Sequence, residues 1–568
     1  MDTETIDRHL AALDEHKDAW LNATFDTRLA LLESLRANTA RLAQRWVDAA
    51  VKAKGIDPGS PIAGEEWTSG PWALLEGIQH LTGTIKALRD GADLLQGATV
   101  RTRPDGQVVV RVHPANHWEK LLISGVEADV WMQPEVTADS LREHMAERYR
   151  NPPDEGHVAL VLGAGNIASI PPLDTLYKLF AEGQVCLVKM NPVNDYLGPV
   201  FEEIFADFVD AGFVRFVYGG ADVGIYTTAH ALVEEIHITG SERTHDAIVY
   251  GVGSDGARRK EADEPTNPRR VTSELGGISP VIVVPGPWSP ADLAFQAENI
   301  VTQKMHNGGF NCIASQVMVL PEQWELRGAL LEAVSETFRR VPPRTPYYPG
   351  AGDRIAAVAA EYPDAEVLDP DAETPRLLIK DVDAESDAYC FDTEFFAGAL
   401  AQTSLPGDDP ETFLRNAIEF SNTRLRGTLG ASILIHPKTE RALGSRFESL
   451  LADLRYGTIG VNAWSGVNFL LPRGTWGAHP GHARNDIQSG IGVVHNALMF
   501  DKPQKTVVRA PWRPFPRGVL SGQTTMLPRP PWFVTNAMAA EVGKRITAFA
   551  ADPGWGRLPG IFAAALRG

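Results

Sequence analysis

Cys312 is framed by the residues a thiol nucleophile needs. It follows Asn307-Gly308-Gly309-Phe310-Asn311, a polar turn loosened by two glycines, and leads into the strand-like run Ile313-Ala314-Ser315-Gln316-Val317-Met318-Val319-Leu320. A loose turn entering a buried strand presents a thiol at the floor of a cleft while the strand fixes its backbone. A cysteine is also a small hydrophobe that packs well in a core, and the local sequence leaves both readings open. Upstream, Ser273-Glu274-Leu275-Gly276-Gly277-Ile278-Ser279-Pro280 sets one carboxylate before two glycines and an apolar strand. A thioester on a cysteine needs a base to activate the water that hydrolyses it, and Glu274 is the candidate.

Composition offers no competing chemistry. Among 568 residues there are three cysteines, Cys186, Cys312 and Cys390, and none belongs to a CxxC or Cys/His spacing. Neither a disulfide framework nor a metal site is expected, and a reducing, cytoplasmic setting is the natural one. The net charge of −19 leaves no excess of Lys and Arg for phosphates, which excludes a nucleic-acid partner. Met1 to Asp7 has no basic n-region or apolar h-region, so no secretory leader is expected. No apolar run is long enough to span a bilayer.

The elements that must position these side chains follow the order of an α/β protein. Phe25 to Val51 carries Leu29, Leu32, Leu35, Leu42 and Trp46 at helical steps, a packing helix without chemistry. Val100-Arg101-Thr102-Arg103 and Gln107 to Val112 flank the turn Pro104-Asp105-Gly106. From His157 strands alternate with helices: Val158 to Gly163, Val185 to Lys189, Val214 to Val217 and Glu235 to Ile238. That alternation predicts a parallel, doubly wound sheet with its ligand at the strands' C-terminal ends. Arg243 to Arg270 reads as a polar surface excursion, with Gly251 to Gly256 at its centre. The segment 513–568 reads as a proline-rich strap packed over the body, closed by an amphipathic helix around Ala537 to Ala551.

Glu274-Leu275-Gly276-Gly277, followed in order by Asn307-x-Gly309-x-x-Cys312-x-Ala314, closely resembles the aldehyde dehydrogenase superfamily, over roughly residues 25–512. The resemblance implies a Rossmann-type cofactor domain (1–280, with arm strands in 99–135), an α/β catalytic domain (281–480), a return strand (481–512) completing a small oligomerisation sheet, and the extension 513–568. It implies NAD or NADP as cofactor, a small aldehyde as substrate, and a homodimer or homotetramer. In such a protein the Cys312 thiolate attacks the carbonyl, and the oxyanion sits between the Asn166 amide and the Cys312 N–H. Hydride transfer then leaves a thioester that Glu274-activated water cleaves. Lys189, Asn191, Gly220, Gly224, Gly240, Ser241 and Leu275 fall where the family holds the cofactor. Glu394 and Phe396 fall at its nicotinamide end.

Four positions depart from the family pattern. Ala164-Gly165-Asn166 replaces Pro-Trp-Asn, Phe310 replaces a glutamine and bulks the pocket, and Thr175 stands where a relay lysine is usual. Lys189 is followed by Met190-Asn191-Pro192 without the acidic residue that binds the adenosine ribose, which admits NADP. Phe310, Phe396, Trp464 and Trp476 hint at an aromatic or long apolar aldehyde. Two other functions fit the same motifs. A CoA-acylating aldehyde dehydrogenase or fatty-acyl reductase would intercept the thioester with a thiol, and a silent member would serve as a scaffold.

Overall fold

The architecture comes from a computed structural model, which describes residues 1–521 and 525–568. Four helices open the chain, Thr3–Leu21, Phe25–Ala53, Ala63–Trp67 and Ala73–Arg89. The second is capped by Thr24, whose hydroxyl accepts from the Thr27 N–H at 3.1 Å, and it buries Leu32, Leu35, Thr39, Leu42 and Trp46 along one face. Strands β1 (Val100–Thr102) and β2 (Val108–His113) form the expected hairpin, with Gly106 at φ +90°, and β3 (Glu127–Met132) continues it antiparallel.

Strands β4 (Val158–Leu162), β5 (Val185–Lys189), β6 (Val214–Val217), β7 (Glu235–Gly240) and β8 (Arg270–Leu275) form a parallel sheet in the order β8-β7-β4-β5-β6. The chain leaves β4 towards one edge and returns on its other side, so the crevice of a doubly wound sheet opens between β4 and β7. Val185 to Val188 are wholly buried, as befits a strand covered on both faces.

The second sheet runs through β9 (Ser279–Val283), β10 (Ser315–Pro321), β11 (Glu366–Val367), β12 (Leu377–Val382), β13 (Ala399–Leu405), β14 (Gly430–Leu434) and β15 (Thr458–Val461). After β16 (Thr475–Trp476), β17 (Gly490–Ile491) and β18 (Val494–His495), β19 (Pro503–Arg509) lies parallel to β15 and antiparallel to β3. The arm strands therefore extend this sheet to eleven, in the order β1-β2-β3-β19-β15-β14-β9-β10-β13-β12-β11. β17 departs from its neighbours and joins the first sheet, antiparallel to β8, with Gly490 opposite Glu274.

The polar stretch after Ser241 is not an irregular excursion. It forms two helices, Glu242–Val249 and Gly253–Ala262, tied together by Lys260, whose ammonium donates to Glu242 at 2.9 Å and Asp246 at 2.7 Å. Of the glycines that suggested a loop, Gly251 lies in the joint, Gly253 begins the second helix and Gly256 is buried within it. In the extension, helices Ala539–Ala551 and Leu558–Ala565 follow the strap, which buries Trp532 and Phe533. The first of these helices approaches the helix Ala63–Trp67 so closely that a Cβ on Gly64 would lie 2.4 Å from the Ala539 backbone. Among the described residues no helix is long and apolar enough to cross a membrane.

Candidate active site

Glu274 sits near the end of β8 and Cys312 lies just before β10, and the fold brings thiol and carboxylate close enough for each to shift the other's titration, while the thiol itself donates to Asn311 Oδ1 at 3.8 Å. Burial pushes Glu274 up to about 7, and the nearby Asp174 carboxylate raises it further, against the Cys312 and Trp476 donors. Asp174 is held there by Thr239, the cross-strand partner of Glu274, whose hydroxyl donates to Asp174 Oδ2 at 2.8 Å. On the other side the Trp476 indole N–H donates to Glu274 Oε1 at 3.1 Å. The Cys312 thiol is pushed well above its ordinary range, first by burial and then by Glu274 and Glu394. The two carboxylates and partial burial thus favour the thiol over the thiolate at the half-buried sulfur.

These neighbours set the pH dependence of any reaction that uses Glu274 as a base. The group must be ionised, so activity falls as pH drops through about 7. Trp476→Phe removes a donor that favours the ionised form, and the acid limb moves to higher pH. Asp174→Asn removes a like charge, and the limb moves to lower pH. A kcat–pH profile in which neither variant moves the limb rejects Glu274 as the titrating group.

The turn before Cys312 is left-handed at three successive residues, Asn307 (φ +55°), Gly308 (+68°) and Gly309 (+83°). Glycine supplies two of these without cost. At Gly309 a Cβ would also lie 2.6 Å from the Ala397 carbonyl oxygen. Asn307 is held there by its surroundings. Its N–H donates to Glu65 at 3.0 Å, and its side-chain amide donates to the carbonyls of Phe310 at 2.8 Å and Asn166 at 3.1 Å. Lys54 joins Glu66 (2.8 Å), Asn307 Oδ1 (3.2 Å) and the Asn166 carbonyl (3.2 Å), all buried, and Arg344 pairs with Glu65. The N-terminal helices, in which the sequence shows no chemistry, thus brace the loop before Cys312. Nothing local marks Lys54, Glu65 or Glu66 for this, since the groups they meet around the loop, Asn166, Asn307 and Arg344, lie more than a hundred residues away. Lys54→Met strips buried Glu66 of its nearer cation, leaving it the Arg344 guanidinium at 3.6 Å, and lowers the stability measured by urea unfolding by up to about 3–5 kcal/mol.

Asn166 reaches the same loop. Its amide donates to the Phe310 carbonyl at 3.2 Å, while the Cys312 N–H makes no backbone hydrogen bond among the described residues. Phe310 does not bulk the thiol cavity as expected. The left-handed turn directs its ring into a cluster with Tyr347, Tyr348 and Phe396, at centroid distances of 5.3, 5.8 and 6.0 Å. The cavity around Cys312 is instead walled by Ile167, Ile170, Trp464, Trp476, Phe469 and Trp532. Phe396 itself is left-handed (φ +43°), with the Arg354 guanidinium over its ring.

The cofactor candidates line the crevice. Glu394 lies against Gly276, where a Cβ would come within 2.3 Å of its carboxylate, and at Gly277 a Cβ would meet Ser489 Oγ at 2.7 Å. Both glycines after Glu274 and Leu275 are thus required by packing. Burial raises Glu394 to about 8, moderated by the buried Lys304. Gly220 opens the helix Ala221–Ala229 without a side-chain cap, and space around Gly224 is open beyond 4 Å. Gly240 ends β7, and Ser241 caps the next helix by accepting from the Thr244 N–H at 3.3 Å. An uncapped helix start, an open glycine face and a buried carboxylate at the strands' C-terminal ends fit a dinucleotide. Asn191 accepts at Oδ1 from the Val193 N–H at 3.0 Å, closing a local turn. Burial pushes the Lys189 ammonium down, against the nearby Asp222 and Asp195 carboxylates.

A two-sheet α/β protein with a thiol and a carboxylate meeting at the crevice is the class that fold and site define. Residues 136–349 match the model of the aldehyde dehydrogenase family. A coniferyl aldehyde dehydrogenase of Pseudomonas sp. is 27% identical over 163 residues, 29% of this chain and 30% of that protein. A D-glyceraldehyde dehydrogenase (NADP+) of Thermoplasma acidophilum is 29% identical over 140 residues, 24% and 25% of the two chains. The match therefore spans less than a third of either relative's length. The solved structure of an NAD-dependent aldehyde dehydrogenase from Sinorhizobium meliloti superposes with a TM-score of 0.59 at 16% identity, covering 90% of this chain and 88% of that one. Residues 136–349 thus match the aldehyde dehydrogenase family, the fold is that of solved aldehyde dehydrogenases, and the named relatives include an NADP+- and an NAD-dependent enzyme.

Proposed function

We propose that the protein oxidises an aldehyde to a carboxylic acid with NAD or NADP. The observation that carries this is the approach of the half-buried Cys312 thiol to the buried Glu274 carboxylate, with Trp476 holding the carboxylate. As the sulfur adds to the carbonyl carbon, its proton passes to Glu274 and the carbonyl π electrons move to oxygen. The Cys312 N–H and the second N–H of the Asn166 amide would receive that charge, a donor pair whose loss costs a hundredfold or more per member. When bound, NAD(P)+ supplies the hydride acceptor. Lys189, Asn191, Gly220, Gly224, Gly240, Ser241 and Leu275 would hold its nucleotide part, and Glu394 and Phe396 its nicotinamide end. After Glu274 has shed the first proton, it takes another from the water that adds to the thioester. The carbon–sulfur bond breaks, the acid leaves, and the sulfur recovers its proton.

With Asp195 and Asp222 both facing Lys189, little of its charge is left for a 2′-phosphate, and discrimination between NAD and NADP stays below a hundredfold in kcat/KM. The short edge strand β1 suits pairing with a second copy, which supports a homodimer or homotetramer. Three unpaired cysteines suit a cytoplasmic setting. The test is NAD(P)H formation from aldehydes with and without CoA. Acid formed without CoA is the expected result. An absolute need for CoA makes the chain an acylating enzyme, and no turnover makes it a scaffold.

A further inference from the structure

We infer that the aldehyde carries a long apolar tail, and that the C-terminal extension builds the chamber that receives it. This rests on the aldehyde oxidation proposed above. Two cavities meet at Trp532. One surrounds the Cys312 thiol, and the other lies between the extension and the helices Ala73–Arg89 and His117–Leu122. The second is lined by Leu527, Val542, Ile546, Phe549 and Ile561 from the extension, with Trp118 and Trp72 opposite. Trp532 stands in the wall of both. The turn Thr68–Trp72 also serves both, Ser69 facing the thiol cavity and Trp72 the second. Leu470, beside the thiol, packs against the cluster that includes Val542, Phe549 and Ile561. The Trp532 indole is thus a partition between two neighbouring apolar spaces.

The chemistry of the walls selects the occupant. Among the described residues neither cavity is lined by a lysine or arginine, and the polar groups of the second are Glu76, Gln79, Asn116 and Glu119. A phosphate or carboxylate on the tail would meet no cation and two glutamates, so the tail is uncharged. The chamber lies outside the matched residues 136–349. Because it adjoins the thiol cavity, its occupant is the far end of whatever the thiol attacks. Each methylene taken from water into such a space is worth about fourfold in affinity.

The test is kcat/KM over the saturated aldehydes from propanal to dodecanal. For the wild type we expect a flat start, then a rise of about fourfold per methylene once the chain passes Trp532, ending in a plateau. Ala550→Trp places an indole in the second chamber, and the ratio of kcat/KM for dodecanal to propanal should fall at least tenfold. Should that variant fail to fold by circular dichroism, Ala565→Trp fills the same chamber from the last helix. A wild-type profile flat beyond four carbons, with propanal oxidised, overturns the chamber and leaves aldehyde oxidation standing. A dodecanal preference that survives a folded filling variant overturns it as well. No turnover of any aldehyde instead overturns the oxidation on which the inference rests.

Discussion

Cys312→Ala lowers aldehyde turnover by about four orders of magnitude or more and leaves folding and cofactor binding intact. No other side chain can take over. Cys186 is wholly buried in β5 and Cys390 is wholly buried behind Phe391, and burial pushes both thiols up. The cavity around Cys312 holds no other strong nucleophile: Ser69, His306 and Asn311 are its polar members. Cys312→Ser fares little better, because a hydroxyl is a weaker nucleophile than a thiol in the same dry site. The loss should appear in kcat and in single-turnover experiments alike, since no acyl-enzyme forms. A Cys312→Ala enzyme within tenfold of wild type would remove the sulfur from the mechanism.

Glu274→Gln separates the two halves of the reaction. An amide can still accept from the Trp476 indole but cannot take a proton, so steady-state turnover falls by roughly two to four orders of magnitude. A burst of one NAD(P)H per subunit should remain, slowed because Glu274 also touches the thiol. A second readout is independent of turnover. Glu274 raises the Cys312 thiol by charge and by hydrogen bond, so its removal frees more thiolate at neutral pH. Iodoacetamide should then alkylate Cys312 faster in the variant than in the wild type. Slower alkylation, or unchanged steady-state turnover, would take Glu274 out of the role of base.

Cys312 and Glu274 were legible because each carries its requirements beside it in the chain. The Gly276-Gly277 pair makes room for Glu394 and Ser489, and Asn307-Gly308-Gly309 permits the left-handed turn. The parallel sheet was legible for the same reason, from strands whose burial is written in consecutive apolar residues. What the sequence hid are the partners that only folding assembles. Trp476 and Asp174 tune Glu274 from elements 202 and 100 residues away, and Lys54 braces Asn307 from 253. Phe310 was misplaced because side-chain direction after three left-handed residues cannot be read from residue type. Asp195 and Asp222 escaped notice because they approach Lys189 from the next helical turn and from the start of the helix after β6. The helices in the polar stretch were hidden by their glycines, of which Gly251 and Gly253 mark the joint and Gly256 lies inside a helix.

The return of β17 to the first sheet has a mechanical consequence. The chain completes most of its second sheet and then crosses back to pair Gly490 with Glu274, so the strand bearing the base is gripped by a segment from the far lobe. A Cβ at Gly490 would lie 2.1 Å from the Ser273 carbonyl oxygen, which leaves this stitch no slack. Two lobes sewn together at the reaction centre cannot swing apart as rigid jaws without tearing that pairing. Admission of reactants then falls to side-chain rotation within the cleft, and the lobes unfold as one cooperative body with no separable fragment.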